Sequence, residues 1–271
     1  MIPSKFDYTL AESVEHAIEL LGQDPEAKLL AGGHSLIPLM KTRLARPSKL
    51  IDIGRLGLAG VTDGGDHLVV GALTRHADLE HDATAKQHCP ILAHTAGQVG
   101  DRQVRHRGTI GGSCAHGDPA SDLPTICRLL DATFVAQGPG GTRQIAAADF
   151  FEGFFTTALE ANELLTEIHI PKTGEAGWSY IKFRQRALDW ATVGVAAVVN
   201  GGAKIAFTNM GPTTLRAGAS EAAFASGGLA AAAAAAAEGT DPPSDTWATA
   251  DFRRHLAQVL TGRALAEAGA K

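Results

Sequence analysis

"KLLAGGHSLIPLM" (28–40) and "RGTIGGSCAHGDPASDLP" (107–124) decide the reading of this chain. Each holds two adjacent glycines followed closely by a serine, and the first pair sits between a short apolar run and a helix-like one. A glycine pair lets the backbone take positive φ and lets a ligand approach the main chain. Successive amides that point one way form an anion-binding concavity, and at a helix start they also meet the positive end of its dipole. One such pair is ordinary punctuation. Two of matching form point to an elongated anionic ligand, such as a dinucleotide, threaded between two subdomains. The patterns G-x-G-x-x-G and G-x-x-x-x-G-K-[ST] are both missing, so the common NAD and nucleoside triphosphate folds are not supported.

The totals fit that reading. A chain of 271 residues has room for one large domain or two modest ones. Apolar residues make up 45% and charged residues 20%, as in an ordinary globular protein. Net charge is −5 with the basic residues scattered, which excludes a nucleic-acid footprint. The three cysteines, Cys89, Cys114 and Cys127, include no C-x-x-C spacing. That argues against a disulfide framework and against a zinc or iron–sulfur site built by this chain alone, and it fits a reducing compartment. The start, MIPSKFDYTL, lacks an apolar signal core, and no apolar run is long enough to span a bilayer. The expectation is a cytoplasmic protein.

Along the chain, 9–21 reads as a helix with Thr9 and Glu12 in capping-box spacing, ended by Gly22. Lys28–Ala31, Leu50–Ile53 and Leu68–Ala72 read as strands, with Ser35 placed to cap a short helix. Helical stretches are expected near 74–80 and 90–99. Residues 101–124 read as a long polar functional loop, followed by a helix over 122–130. Residues 133–137 and 142–145 form a hairpin, and 164–170 a strand stopped by Pro171. KTGEAG (172–177) reads as a linker. Beyond it, 179–183, 193–199 and 204–210 look like strands, and 221–238 and 249–266 like helices, the first carrying eight consecutive alanines. The fold class expected is α+β.

The stretches 28–53 and 103–124 resemble the two FAD-binding segments of the flavin-carrying medium subunit of molybdenum hydroxylases, the xanthine dehydrogenase and aerobic carbon monoxide dehydrogenase family. YIKFRQRALDWATVGVAA (180–197), NMGPTTLRA (209–217) and SDTWATADFRRHLAQVLTGRAL (244–265) are similar to the C-terminal domain of the same subunits. The resemblance covers nearly the whole chain. It implies a two-lobed FAD-binding domain of the p-cresol methylhydroxylase type over 1–172, with lobes of about 1–54 and 55–172. A small α+β domain over 178–271, an antiparallel sheet backed by helices, would follow.

It also implies roles. Ala31, Gly32, Gly33, His34 and Ser35 would cradle the diphosphate, with Thr109, Gly111, Gly112 and Ser113 as the second wall. Lys28 and Leu36 would flank the adenine–ribose end. Asp122 would hydrogen-bond a ribose or ribityl hydroxyl, although a helix N-cap alone would account for an aspartate there. Leu165 would pack near the flavin, its alternative being a core leucine. Lys182 would lie close to the isoalloxazine, its alternative being a surface lysine. His106 departs from the asparagine or apolar residue usual in the family. His116 and Asp118 have metal-ligand chemistry but no evident third ligand, so they are read as shaping the loop.

The function implied is electron transfer. FAD here would take electrons from [2Fe–2S] clusters on a small partner subunit, themselves filled from a molybdenum cofactor on a large one, and pass them to an external acceptor. No side chain of this chain is expected to be catalytic, and no metal is expected in it. A dimer of heterotrimers is the expected assembly. A self-contained FAD oxidoreductase of the same fold and a non-catalytic assembly or maturation protein stay open as alternatives. Substrate and acceptor are not legible.

Overall fold

The first glycine turn leaves a sheet of three parallel strands. Residues 2–270 are described in a computed structural model. Lys49–Asp52 is the central strand, paired in parallel with Asp7–Leu10 on one side and with Lys28–Leu30 on the other. Parallel neighbours need crossover connections, which helices Val14–Gln23 and Leu36–Lys41 supply. The first helix buries Ala17, Ile18, Leu20 and Leu21 in a core with Ile51, Ile53 and Leu164. It starts later than the sequence suggested. Thr9 belongs to the first strand opposite Ile51, and Ser13 caps the helix by accepting from the His16 amide at 3.1 Å. Ser13 stands immediately before the first inward apolar residue, Val14, so it wins the cap over Thr9.

The second lobe is a five-stranded antiparallel sheet in the order Val61–Asp63, His67–Gly71, Leu164–Pro171, Thr133–Gly138, Gly141–Ala146. Ile168 and Ile170 point inward while Glu167 and His169 are partly exposed, the period-two alternation of a sheet with one covered face. Helices Pro90–Gln98 and Asp122–Leu129 share its core. Residues 101–117 are not a loop but two short helices, Arg102–Arg107 and Ile110–His116. Asp101 and Thr109 cap them, and Gly117, at φ +67°, ends the second. The first buries no residue at all, so no apolar period announced it.

The C-terminal sheet runs Gly177–Phe183, Val193–Val199, Ala203–Thr208, Leu215–Arg216, all antiparallel. One face packs on helices Gly218–Ala234 and Ala250–Glu267. Tyr180, Ala196, Val198 and Ala206 on the other face join the core of the second lobe. Val193–Val199 is therefore covered on both sides, which explains its uninterrupted apolar run, VGVAAVV. The alanine-rich helix is broken at Gly228, at φ +67°, and finishes as a 3-10 turn over Ala235–Ala237. The architecture is α+β, and the C-terminal sheet is stacked against the second lobe beside the two glycine turns.

Candidate functional site

A cavity of about 640 Å³ lies between the two lobes, with the base of the C-terminal sheet on its wall. Every residue singled out as a candidate cofactor contact, from Lys28 to Lys182, lines it. Its size is that of sites holding one organic ligand.

The two glycine turns touch. A Cβ on Gly32 would overlap the Arg107 carbonyl oxygen and come within 2.8 Å of the Gly108 Cα. Gly32 is thus the point where the first lobe closes on the second. Gly33 takes φ +75°, a conformation most side chains resist. Among the described residues, the amides of Gly33, His34 and Ser35 have no protein acceptor. Ser35 stands at the helix N-cap position but makes no side-chain cap bond, so its hydroxyl is left to the cavity. The His34 ring is exposed and folds back on the Gly32 carbonyl at 3.0 Å. This turn offers donors and no negative charge, the chemistry that suits a diphosphate.

The second turn works differently from the expectation of amides on both walls. Its amides are consumed by the fold: Ile110 donates to Thr74 O at 3.0 Å, Gly111 to Ala72 O at 2.9 Å, Ser113 to Thr109 O at 3.0 Å, and Gly112 to Thr109 Oγ1 at 3.1 Å. Gly111 is packed so tightly on Ala72 that a Cβ would lie 2.6 Å from its carbonyl oxygen. A Cβ on Gly112 would meet only Thr109 Oγ1. What this wall presents is therefore the flat Gly112 surface and the hydroxyls of Thr109 and Ser113.

Asp122 is the first residue of its helix, with Ser121 at the cap position, so capping does not explain it. Its Oδ1 accepts from the Tyr180 hydroxyl at 2.5 Å and its Oδ2 from Lys182 Nζ at 2.7 Å. Lys182 also donates to the Gln98 carbonyl at 3.1 Å and is buried, which removes the surface-lysine alternative. Burial pushes the Asp122 pKa up against the opposing pull of Lys182, and pushes the Tyr180 phenol well above its ordinary value. Leu165 lies at a register shift in strand Leu164–Pro171, buried with its edge on the cavity. Lys28 is exposed at the rim.

His106 lies exposed on its helix. The His116 ring packs against Phe155 with centroids 4.8 Å apart, and Asp118 Oδ1 accepts from the Ala120 amide at 2.9 Å. Both therefore shape the turn after the second glycine helix.

Two features of the wall went unread in the sequence. His76 is 2% exposed, with Nε2 3.3 Å from Ser113 Oγ and, among the described residues, Nδ1 without a partner. Its only signal was a histidine inside the stretch read as a helix over 74–80, TRHADLE. The loop 184–192 brings Leu188 and Trp190, both exposed, to the cavity mouth. Two large apolar residues in a polar connection were the clue there. The loop's end is fixed by Arg253, a fully buried arginine that donates to the Thr192 carbonyl and to Asp245 Oδ2.

FAD suits these residues: a side-chain-free cradle, three unpaired amides for its diphosphate, hydroxyls opposite, and an apolar edge with an ammonium–carboxylate pair.

A family profile described as "FAD binding domain in molybdopterin dehydrogenase" matches residues 4–173, and one described as "CO dehydrogenase flavoprotein C-terminal domain" matches 178–268. The chain is 41% identical to the carbon monoxide dehydrogenase medium chain of Hydrogenophaga pseudoflava, over 100% of this chain and 99% of that one. It is 37% identical to the 6-hydroxypseudooxynicotine dehydrogenase complex subunit alpha of Paenarthrobacter nicotinovorans, covering 99% and 96%. The solved structure of carbon monoxide dehydrogenase from Hydrogenophaga pseudoflava lacking the Mo-pyranopterin moiety superposes with a TM-score of 0.96 at 43% identity, over 99% of both chains.

Proposed function

The chain belongs to the FAD-binding medium-subunit family of the molybdenum hydroxylases, the oxidoreductase component that carries the flavin domain, and from that premise we propose how it works. It holds FAD between its lobes and serves as the electron outlet of a multi-subunit dehydrogenase. The observation that carries this is the convergence of the three free amides at 33–35, the Gly112 wall and the Lys182–Asp122 pair on one cavity.

The amides of Gly33, His34 and Ser35, with the Ser35 hydroxyl, bind the diphosphate. Thr109 and Ser113 donate from the opposite wall. Lys28 and Leu36 flank the adenine–ribose end. Asp122 keeps lone pairs to accept a ribityl hydroxyl beyond its two bonds to Tyr180 and Lys182. Leu165 supplies apolar contact to the flavin, and Lys182 sets the local field as half of an ion pair rather than as a lone cation. Bound FAD supplies the ability to take up two electrons and release them singly.

With three cysteines and no C-x-x-C spacing, the chain lacks a cluster-ligand set. The electrons therefore arrive from [2Fe–2S] clusters on a small subunit, which a large molybdenum subunit fills by oxidising the substrate. We place the chain in a dimer of such heterotrimers. The relatives' names span carbon monoxide and a pyridine-alkaloid derivative, so substrate choice belongs to the large subunit. Among the described residues, no helix is long and apolar enough to cross a membrane.

The test is to incubate the purified chain with FAD, desalt it, and measure flavin content and visible spectrum, alone and co-expressed with its partners. Stoichiometric flavin and reduction by substrate only in the three-subunit complex are expected. Substrate turnover by the chain alone would overturn the reading.

A further inference from the structure

The second glycine turn has spent its amides within the fold, so its polar contribution to a ligand rests on hydroxyls, and the Ser113 hydroxyl is in contact with a buried histidine. His76 opens helix His76–His81 and is 2% exposed. Its amide donates to the Gly108 carbonyl at 3.0 Å. Its ring edge lies directly over Gly108: a Cβ there would stand 2.7 Å from His76 Cδ2 and 2.8 Å from Nε2. The glycine of the "RGT" sequence thus makes room for the imidazole, which then reaches Ser113 Oγ at 3.3 Å.

The ring is neutral near pH 7. Burial first, then the positive charge of Arg105, with His34 and Arg75 adding to it, pushes the His76 pKa down to about 4. A neutral imidazole carries one N–H. If it sat on Nδ1, a buried donor would have no acceptor, because among the described residues Nδ1 has no partner. A buried unmade donor bears the full cost of its lost hydration, and orphaned N–H groups are rarer in proteins than under-used acceptors. The proton therefore belongs on Nε2, where Ser113 Oγ is the acceptor. Ser113, having accepted, has its own proton free. Among the described residues its hydroxyl makes no other hydrogen bond, and it stands on the cavity wall.

We propose that His76 is a positioning residue of the cofactor site: its Nε2–H donates to Ser113 Oγ and so commits the Ser113 proton to an anionic oxygen of the ligand's diphosphate. Resting on the FAD reading above, this explains how a turn without free amides still supplies a directed donor. It also separates two roles inside one motif. Gly108 admits the histidine, and Gly112 leaves the ligand its space.

Imidazole ¹⁵N NMR on the full chain without ligand reads the tautomer directly. The Nε2–H form is expected, unchanged from pH 8 to 5.5, and an Nδ1–H signature would overturn the proposal. Binding of FAD, ADP and riboflavin to the full chain then gives the coupling. His76→Phe should weaken FAD and ADP by about tenfold, the worth of one charge-assisted hydrogen bond. It should leave riboflavin, which has no diphosphate, within about twofold. His76→Gln, whose amide reaches the Nε2 position, should restore most of the loss. In a Ser113→Ala background, His76→Phe should add less than about twofold. An equal effect of His76→Phe with and without the Ser113 hydroxyl, or an equal loss of riboflavin, would overturn the proposal. If His76→Phe fails to fold, His76→Gln with and without Ser113→Ala carries the same cycle: near-wild-type diphosphate binding supports the proposal, and loss independent of Ser113 overturns it. Wild-type protein that binds riboflavin but neither FAD nor ADP would sink the cofactor reading itself, a result distinct from a lost coupling.

Discussion

Lys182 Nζ, on the first strand of the C-terminal sheet, lies 2.7 Å from Asp122 Oδ2 at the start of a helix of the second lobe, with both side chains only 4% exposed. The pair joins the C-terminal domain to the wall of the cavity between the lobes. Removing one partner of a buried pair strands the other charge, so Lys182→Met is expected to destabilise the chain by about 3–5 kcal/mol. Restoring neutrality with Asp122→Leu in the same protein should recover part of that, because the desolvation cost leaves with the charge while the Tyr180 hydroxyl keeps Thr208 Oγ1, 3.2 Å away, as its partner. Urea unfolding of the two variants checks this. A double variant no more stable than Lys182→Met would show that the pair acts through packing and not through charge.

The adjacent glycines 111 and 112 should fail in different ways. A Cβ on Gly111 would stand 2.6 Å from the Ala72 carbonyl oxygen, in the middle of the fold. Gly111→Ala is therefore expected to cost about 1–3 kcal/mol by overpacking. Gly112→Val instead displaces the Thr109 hydroxyl from its cap, worth about 1 kcal/mol, and fills the ligand's side of the turn. Its flavin content after desalting should fall by at least about tenfold, with a smaller loss of stability than Gly111→Ala. Stoichiometric FAD in Gly112→Val would mean that the ligand does not pass over this turn.

His76 makes the fold acid-sensitive. Its pKa is held at about 4 in the folded chain against an ordinary 6.5, so the unfolded state takes up a proton that the folded state refuses. Stability from this group is complete above pH 6.5, falls as pH drops from there, and is fully lost below about 4. The gap amounts to about 3 kcal/mol. Desolvation also lowers His94, although its surface is exposed, and the partly buried His116, so part of the acid limb persists without His76. The stability of His76→Gln measured from pH 7 to 4 should fall less steeply than that of wild type. Parallel curves would contradict the assignment.

The glycine turns were legible because their residue types are forced. Gly32 must admit the Arg107 carbonyl and Gly33 must take positive φ. The double burial of Val193–Val199 was equally visible as an unbroken apolar run. Strand Asp7–Leu10 was missed because it lies at the sheet edge with no residue fully buried, so polar DYTL shows no alternation. The helices over 102–116 are each shorter than two and a half turns and are fixed by caps and by contacts with the neighbouring lobe, which a local pattern does not encode. His76 and Trp190 reach the site from segments 33 and 77 residues away from Thr109 and Ser113 respectively, a distance only the tertiary fold closes.

Trp190 gives the site an optical reporter. It is 58% exposed and stands on the cavity wall, whereas Trp178 packs beside His94 and Trp247 lies under the Arg186 guanidinium, both off that wall. Its loop is tied down at the end that follows it. Asn209 Nδ2 donates to Ala191 O at 2.8 Å, the Thr192 amide donates to Phe183 O at 2.8 Å, and Arg253 holds the Thr192 carbonyl. A flavin entering the cavity should therefore meet an indole whose backbone is already placed. FAD titration is expected to quench tryptophan emission, and Trp190→Leu should remove most of that change while Trp247→Leu keeps it. Loss of an aromatic contact of about 0.5–1.5 kcal/mol should raise the FAD dissociation rate by roughly two- to tenfold in Trp190→Leu. The same quench in Trp190→Leu as in wild type would place the isoalloxazine away from this loop, toward the Leu165 and Lys182 side of the cavity.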